Sequence, residues 1–278
     1  MGILTPDQES FVQSLIGAYT IVKDHSWSEV TSRVLHVSAR GGSFIIKAGE
    51  RHNHHIGREI DAHGSWTRPL VHLERTAPVV GWDATAKVLV VRYQPGELAV
   101  GTVHEHSPDF YHQAGRVLQA FHCESRHVDE TYEERATQRT LAWLDGPHRI
   151  DGGSERRIRE ALAAYRPAPV EVVPTHGDWQ PGNWLADGDW LRVIDFGRFA
   201  FRPASSDLCR MAAQQWREVP ELEAAFLDGY GGDPRDRVRW PIELLREAVG
   251  TAAWAYQQHD EAFEAQGLRL VAEALSGL

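Results

Sequence analysis

The extended, β-branched segments of this chain are concentrated before Gln94-Pro95-Gly96, and the long amphipathic segments come after it. Proline and glycine together interrupt regular structure, so this tripeptide is the best candidate boundary between two lobes. Ahead of it, Arg33–Val37 and Ser43–Lys47 flank Ala39-Arg40-Gly41-Gly42, which predicts a hairpin. Ile56, Ile60 and His63 recur at helical spacing and predict a helix over 54–66. Residues 78–82 and 87–93 predict two more strands around a turn at 83–86. The order strand, strand, helix, strand, strand implies one small antiparallel sheet with a helix packed on it.

Beyond the boundary, Phe110, Ala114, Val117, Leu118 and Phe121 lie on one face of a helix. Further helices are expected near 133–144, 155–165, 221–230 and 242–257, and the strong strand signal of this part lies between Val172 and Ile194. The fold class is therefore α+β, with an N-terminal lobe over 1–93 and a larger, mainly helical lobe over 94–278. At the start, Thr5-Pro6-Asp7-Gln8 combines an N-cap, a proline at the first helical position and a capping-box glutamine. A short opening helix is expected there.

Charge narrows the function classes. The chain has 29 Lys and Arg against 39 Asp and Glu, a formal net charge of −10. Nucleic-acid binding by counterion release needs the opposite balance, so a cationic or metal-bound partner suits this chain better. The two cysteines, Cys123 and Cys209, cannot build a disulfide framework or a four-ligand zinc site, and both read as buried thiols. No apolar run approaches the ~20 residues that span a bilayer. Met1–Pro6 has neither the basic region nor the apolar core of a secretory leader, and it misses the myristoylation pattern. A cytoplasmic protein with no membrane partner is expected. His52-Asn53-His54-His55 and His104-Glu105-His106 lack the spacing that puts two imidazoles on one helix face, so they read as solvated or hydrogen-bonded histidines.

The segment over 175–197 carries the chemistry. Asp187-Gly188 suits a two-residue hairpin turn. Trp184-Leu185-Ala186 would then pair with Asp189–Arg192 and place Asn183 opposite residue 192 or 193. Asp195 follows a step or two along the partner strand, so an amide oxygen and a carboxylate converge. Asp178 sits on the loop before the hairpin, where Pro181 and Gly182 exclude regular structure. Hard oxygen ligands of this kind suit Mg²⁺; an ordinary surface hairpin with solvated ends would carry the same residues singly.

Taken jointly, His176-Gly177-Asp178, Asn183 five residues on, and Ile194-Asp195-Phe196-Gly197 resemble the catalytic loop and metal-binding triplet of protein kinases. With His-Gly-Asp in the loop, the chain resembles the aminoglycoside phosphotransferase and choline kinase group of small-molecule kinases. The likeness runs from about Val30 to Leu208 and is sharp over 175–197. It implies a protein-kinase-like two-lobed fold, with ATP and Mg²⁺ as cofactors. It further implies Asp178 as catalytic base, Asn183 and Asp195 as Mg²⁺ ligands, Lys47 on the α- and β-phosphates, and Glu59 orienting that lysine. Taken alone, Lys47 and Glu59 would read as solvated residues. His176 and Asp207 would brace the loop. Arg92, Tyr93 and Gln94 would form the hinge beside adenine, and Ser32 would lie in the loop over the phosphates. That loop, Trp27–Arg33, contains no glycine, unlike its protein-kinase counterpart. No Gly-x4-Gly-Lys-Ser/Thr or Gly-x-Gly-x-x-Gly motif competes for the phosphates.

For the acceptor, Trp179 beside the base is a candidate contact, although tryptophan more often packs a core. Asp260, Glu261 and Glu264 form a candidate acidic surface that a solvated helix face explains equally well. The expected function is ATP-dependent phosphorylation of a hydroxyl on a small, cationic antibiotic, an aminoglycoside or basic peptide, giving resistance or self-protection. A metabolic kinase for choline, homoserine or a sugar derivative is the alternative, and a non-catalytic nucleotide-binding protein the rival of another class.

Overall fold

The computed structural model describes residues 3–26 and 32–278. They pack as two compact units, one of Met1–Glu124, Pro174–Ala200 and Val219–Gly232, the other of Ser125–Val173, Phe201–Glu218 and Asp233–Leu278. The expected lobe boundary at Gln94 falls inside the first unit, which holds both the N-terminal sheet and the 175–197 hairpin.

In the first unit, α1 (Pro6–Ile16) starts as expected: Thr5 accepts from the Gln8 amide and Gln8 bonds back to the Thr5 backbone. Five strands follow, β1 (Tyr19–Asp24), β2 (Arg33–Ala39), β3 (Gly42–Ala48), β4 (Val79–Asp83) and β5 (Val88–Arg92). They form an antiparallel sheet in the order β1-β2-β3-β5-β4. Strand alternation sends Leu35, Val37, Phe44, Ile46, Val88 and Val90 to one face, against Val12 of α1. On the other face Leu89 and Val91 meet Ile56 and Ile60 of α2 (His54–Ser65). The edge strand β1 was not expected. It is exposed along nearly its whole length, so no apolar alternation announces it.

After the short α3 (Arg68–His72), α4 (Pro108–His122) buries the five residues of its expected apolar face. It lies close against the helix Pro220–Tyr230, with glycines at the contact. A Cβ on Gly115 would overlap the Phe226 carbonyl oxygen and lie 2.7 Å from the Tyr230 nitrogen. Both are backbone atoms that cannot swing aside. Helix propensity alone favours alanine over glycine by about 1 kcal/mol, but overpacking costs about 1–3 kcal/mol. Gly115→Ala should therefore lower the thermal midpoint by several degrees, measured by circular dichroism. An unchanged or raised midpoint would mean that propensity outweighs the close approach.

The second unit is mainly helical. Tyr132–Asp145, Gly152–Ala164, Arg239–Gln257 and Glu261–Ser276 contribute Leu144, Ile158, Leu162, Leu245, Val249, Val271 and Leu275 to one core. Among the described residues no helix is long and apolar enough to cross a membrane. Cys209 is buried as expected, but Cys123 is exposed at the C-terminal cap of α4.

Candidate active site

The site is built on the first unit. On β3 the alternation that buries Phe44, Ile46 and Ala48 turns Lys47 to the α2 side of the sheet. There Lys47 Nζ meets Glu59 Oε1 at 2.7 Å and Asp195 Oδ1 at 3.6 Å. Glu59 is almost fully buried, whereas the Asp195 side chain is 53% exposed. Burial disfavours the Lys47 ammonium, but the Asp195 and Glu59 carboxylates outweigh it and hold the lysine above its ordinary pKa. The Lys47 charge in turn holds Asp195 below the usual carboxylate range. One cation thus stands between a buried carboxylate, which burial pushes above its ordinary range, and an accessible one held below it.

The hairpin pairs Trp184–Asp187 with Trp190–Val193, in the register Asp187↔Trp190 and Trp184↔Val193. Its turn is Gly188-Asp189, with positive φ at Gly188 (58°) and not at Asp189, so the expected Asp187-Gly188 turn is displaced by one residue. Both registers put Trp184, Ala186, Leu191 and Val193 on the same face, so burial pattern cannot choose between them. The turn geometry decides it. Asn183 consequently sits opposite Ile194, whose N–H donates to the Asn183 carbonyl at 3.1 Å. Asp195 is the next residue.

Asn183 donates through Nδ2 to the Asp178 carbonyl at 2.8 Å, which fixes the amide and makes Oδ1 the atom that could hold a metal. Asp178 accepts from Gln180 Nε2 at 2.9 Å, and Arg198 Nε lies 3.9 Å from its other carboxylate oxygen. His176 is fully buried and does brace the loop. Its Nε2 donates to the Ile194 carbonyl at 3.0 Å, while Nδ1 accepts from the Asp178 N–H at 3.3 Å. Asp207, the other expected brace, is buried in the turn Ala204–Leu208 of the second unit.

Asp195 adopts a left-handed backbone, φ 66°, a conformation that costs most side chains about 1 kcal/mol and that Asp tolerates better. Two hydrogen bonds close around it. Gly197 N–H donates to Asp195 Oδ1 at 3.3 Å, and His55 Nδ1 lies 3.0 Å from the Gly197 carbonyl.

The expected nucleotide residues divide. Arg92 donates to the Gly41 carbonyl at 2.6 Å and lies over Phe44, so its guanidinium clasps the β2–β3 turn. Tyr93 stacks on His36 with ring centroids 4.0 Å apart, and Gln94 follows it after β5. Ser32 Oγ accepts from Asn53 Nδ2 at 2.8 Å. The rest of the glycine-free loop, 27–31, lies outside the described residues.

Two acceptor expectations need correction. Trp179 is fully buried and packs edge-on against His176 and Trp184, with centroids 5.5 and 5.9 Å away, so it is a core residue and offers the acceptor no surface. Asp260, Glu261 and Glu264 do not form one acidic face. Asp260 caps the helix Glu261–Ser276 by accepting from the Phe263 N–H, and Glu264 is buried beside Arg149 at 3.4 Å. Glu261 is exposed on the first turn of that helix. Sequence reasoning missed Gln180, Arg198, Asn53 and His55. The first two had a signal in lying two and three residues from Asp178 and Asp195, but nothing local linked α2 to the metal segment.

A sheet-borne lysine is held by a helix carboxylate and lies near Asp195, while the His-Gly-Asp loop bonds the residue before that aspartate, an arrangement whose chemistry suits phosphoryl transfer. The model of the phosphotransferase enzyme family (APH) matches residues 47–241, and the chain belongs to that family. No curated protein matches it in sequence. In fold it is similar to choline kinase LicA from Streptococcus pneumoniae, at 14% identity and TM-score 0.67 over 98% of each chain. It is also similar to a thermostable mutant of aminoglycoside phosphotransferase APH(4)-Ia, at 12% identity and TM-score 0.69 over 97% of this chain and 98% of that one. Macrolide 2'-phosphotransferase MphH from Brachybacterium faecium aligns at 17% identity and TM-score 0.60, covering 96% and 98%. At such identities the likeness is one of fold.

Proposed function

We propose that this phosphotransferase moves the γ-phosphoryl group of ATP to a hydroxyl of a small cationic antibiotic, an aminoglycoside or a basic peptide. The observation that carries the phosphoryl-transfer reading is Lys47 poised between Glu59 and Asp195, beside a loop that presents Asp178. Phosphoryl transfer asks the protein mainly for positioning and charge neutralisation. Lys47 binds the α- and β-phosphates, with Glu59 holding its ammonium in place. Asp178 receives the proton of the acceptor hydroxyl, its carboxylate oriented by Gln180.

The donor set fits Mg²⁺. The ion favours one or two carboxylates with phosphate and water oxygens, and Asn183 Oδ1 and the exposed Asp195 carboxylate supply hard oxygens from adjacent backbone. When bound, Mg²⁺ would neutralise phosphate charge there. Nucleotide use is also supported by neighbours of the same fold, one solved with ADP and hygromycin B and another with AMP.

Trp179 is buried and the acidic trio is dispersed, so a cationic acceptor is supported by the net charge of −10 and the aminoglycoside phosphotransferase likeness. The choline kinase likeness supports the metabolic alternative. The test is mass spectrometry of an aminoglycoside, a basic peptide antibiotic, choline, homoserine and a sugar, each incubated with protein and MgATP. One added phosphate on an antibiotic is expected. Phosphate on choline, homoserine or the sugar alone would assign a metabolic kinase, and nucleotide binding with no product from any acceptor would favour a non-catalytic protein.

A further inference from the structure

The N-cap and first two turns of α2 make three contacts around the proposed nucleotide site. Its N-cap residue Asn53 donates to Ser32 at the edge of the nucleotide loop, and Glu59 holds Lys47. Between them, His55 reaches the Gly197 carbonyl, 142 residues along the chain, at 3.0 Å. A carbonyl only accepts, so the bond requires His55 to be protonated at Nδ1. The contact is close on both sides: a Cβ on Gly197 would lie 3.4 Å from the His55 Cβ. Asp195 is held in its left-handed backbone from within by the Gly197 N–H. His55 adds the tie that fixes the far end of that turn to the helix carrying Glu59.

We infer that His55 is a positioning residue of the phosphoryl-transfer site, whose Nδ1–H bond to Gly197 holds the Asp195 carboxylate where Mg²⁺ and the nucleotide phosphates meet. The inference rests on the proposed function. It gives the histidine no contact with the reacting atoms; it acts through the conformation of residues 195–197, as partners behind a metal ligand generally do.

The test uses the side chain that reproduces the donor. In asparagine the Nδ2 amide is bonded to Cγ, as Nδ1 is in histidine, so His55→Asn can keep the bond to Gly197. His55→Gln moves its amide one bond further out, and His55→Ala removes the donor. For each variant and the wild type, ADP affinity is measured by calorimetry with Mg²⁺ and with EDTA, and the ratio of the two dissociation constants gives the enhancement due to metal. His55→Ala and His55→Gln should lose about tenfold in that ratio, with EDTA affinity unchanged. His55→Asn should stay within about threefold of wild type. An Ala or Gln variant with the wild-type ratio overturns the inference, as does an Asn variant that falls with Ala. If His55→Ala does not fold, the contrast between Asn and Gln still decides. Asp195→Asn is the control that separates the two readings: a wild-type ratio in that variant, or no metal effect in the wild type, refutes the proposed site and His55's role with it.

Discussion

Asp195→Asn should lower phosphoryl transfer by about 10³-fold or more, the scale of losing a group aimed at developing charge. Asparagine is the informative replacement because it accepts the left-handed backbone at φ 66° nearly as well as aspartate. The fold should then be preserved and the carboxylate alone removed. Lys47 keeps its 2.7 Å partner in Glu59, so its ammonium is not left unpaired. The measurement is an initial-rate assay at saturating Mg²⁺ alongside a thermal melt. Asp195→Ala should show the same loss of rate together with about 1 kcal/mol less stability, since alanine resists that backbone. Near-normal turnover in the asparagine variant would remove Asp195 from the metal site.

Asp178→Asn should reduce kcat by about 10²–10⁴-fold, the range that general-base catalysis contributes. The variant can retain the bond from Gln180 to Oδ1 at 2.9 Å, so the loop geometry should survive. What disappears is the group able to take a proton from the acceptor. Nucleotide affinity and the KM for ATP should change little, because the proposed function assigns the phosphates to Lys47 and the residues around Asn183 and Asp195. Loss of an interaction made only in the transition state appears in kcat and kcat/KM alike. A rise in KM with kcat unchanged would make Asp178 a binding group and place the base elsewhere.

The long helices and most strands were legible because their signals are local. The Thr5 and Gln8 capping box, the apolar face of α4 and the alternation in β2 and β3 all lie within a few residues of chain. β1 was illegible because an exposed edge strand carries no burial pattern. The hairpin turn slipped by one residue for a different reason: moving both strands together leaves the same side chains inward, so periodicity is indifferent to the choice. For the site, the loop and hairpin spacing brought out Asp178, Asn183 and Asp195, whereas Lys47 and Glu59 were implied only by the resemblance to the small-molecule kinases. The acceptor residues failed because burial is a property of the packed chain. Trp179 lies next to the base in sequence and inside the core in space, and Glu264 faces Arg149 instead of solvent.

The sequence by itself determined the order of the main helices and the inner strands, the excess of negative charge, and the His-Gly-Asp, Asn and Asp-Phe-Gly groups that resemble a kinase site. Only the tertiary structure decided which of these groups meet. Lys47 finds Glu59 twelve residues away but Asp195 from the far side of the hairpin, at 2.7 and 3.6 Å. His55 finds Gly197 across 142 residues. Local periodicity reports which face of a helix or strand is buried, and it says nothing about which distant face will cover it. That choice belongs to the packing that brings β3, α2 and the segment after the hairpin together, where ångström distances determine whether an ammonium and two carboxylates act as one site.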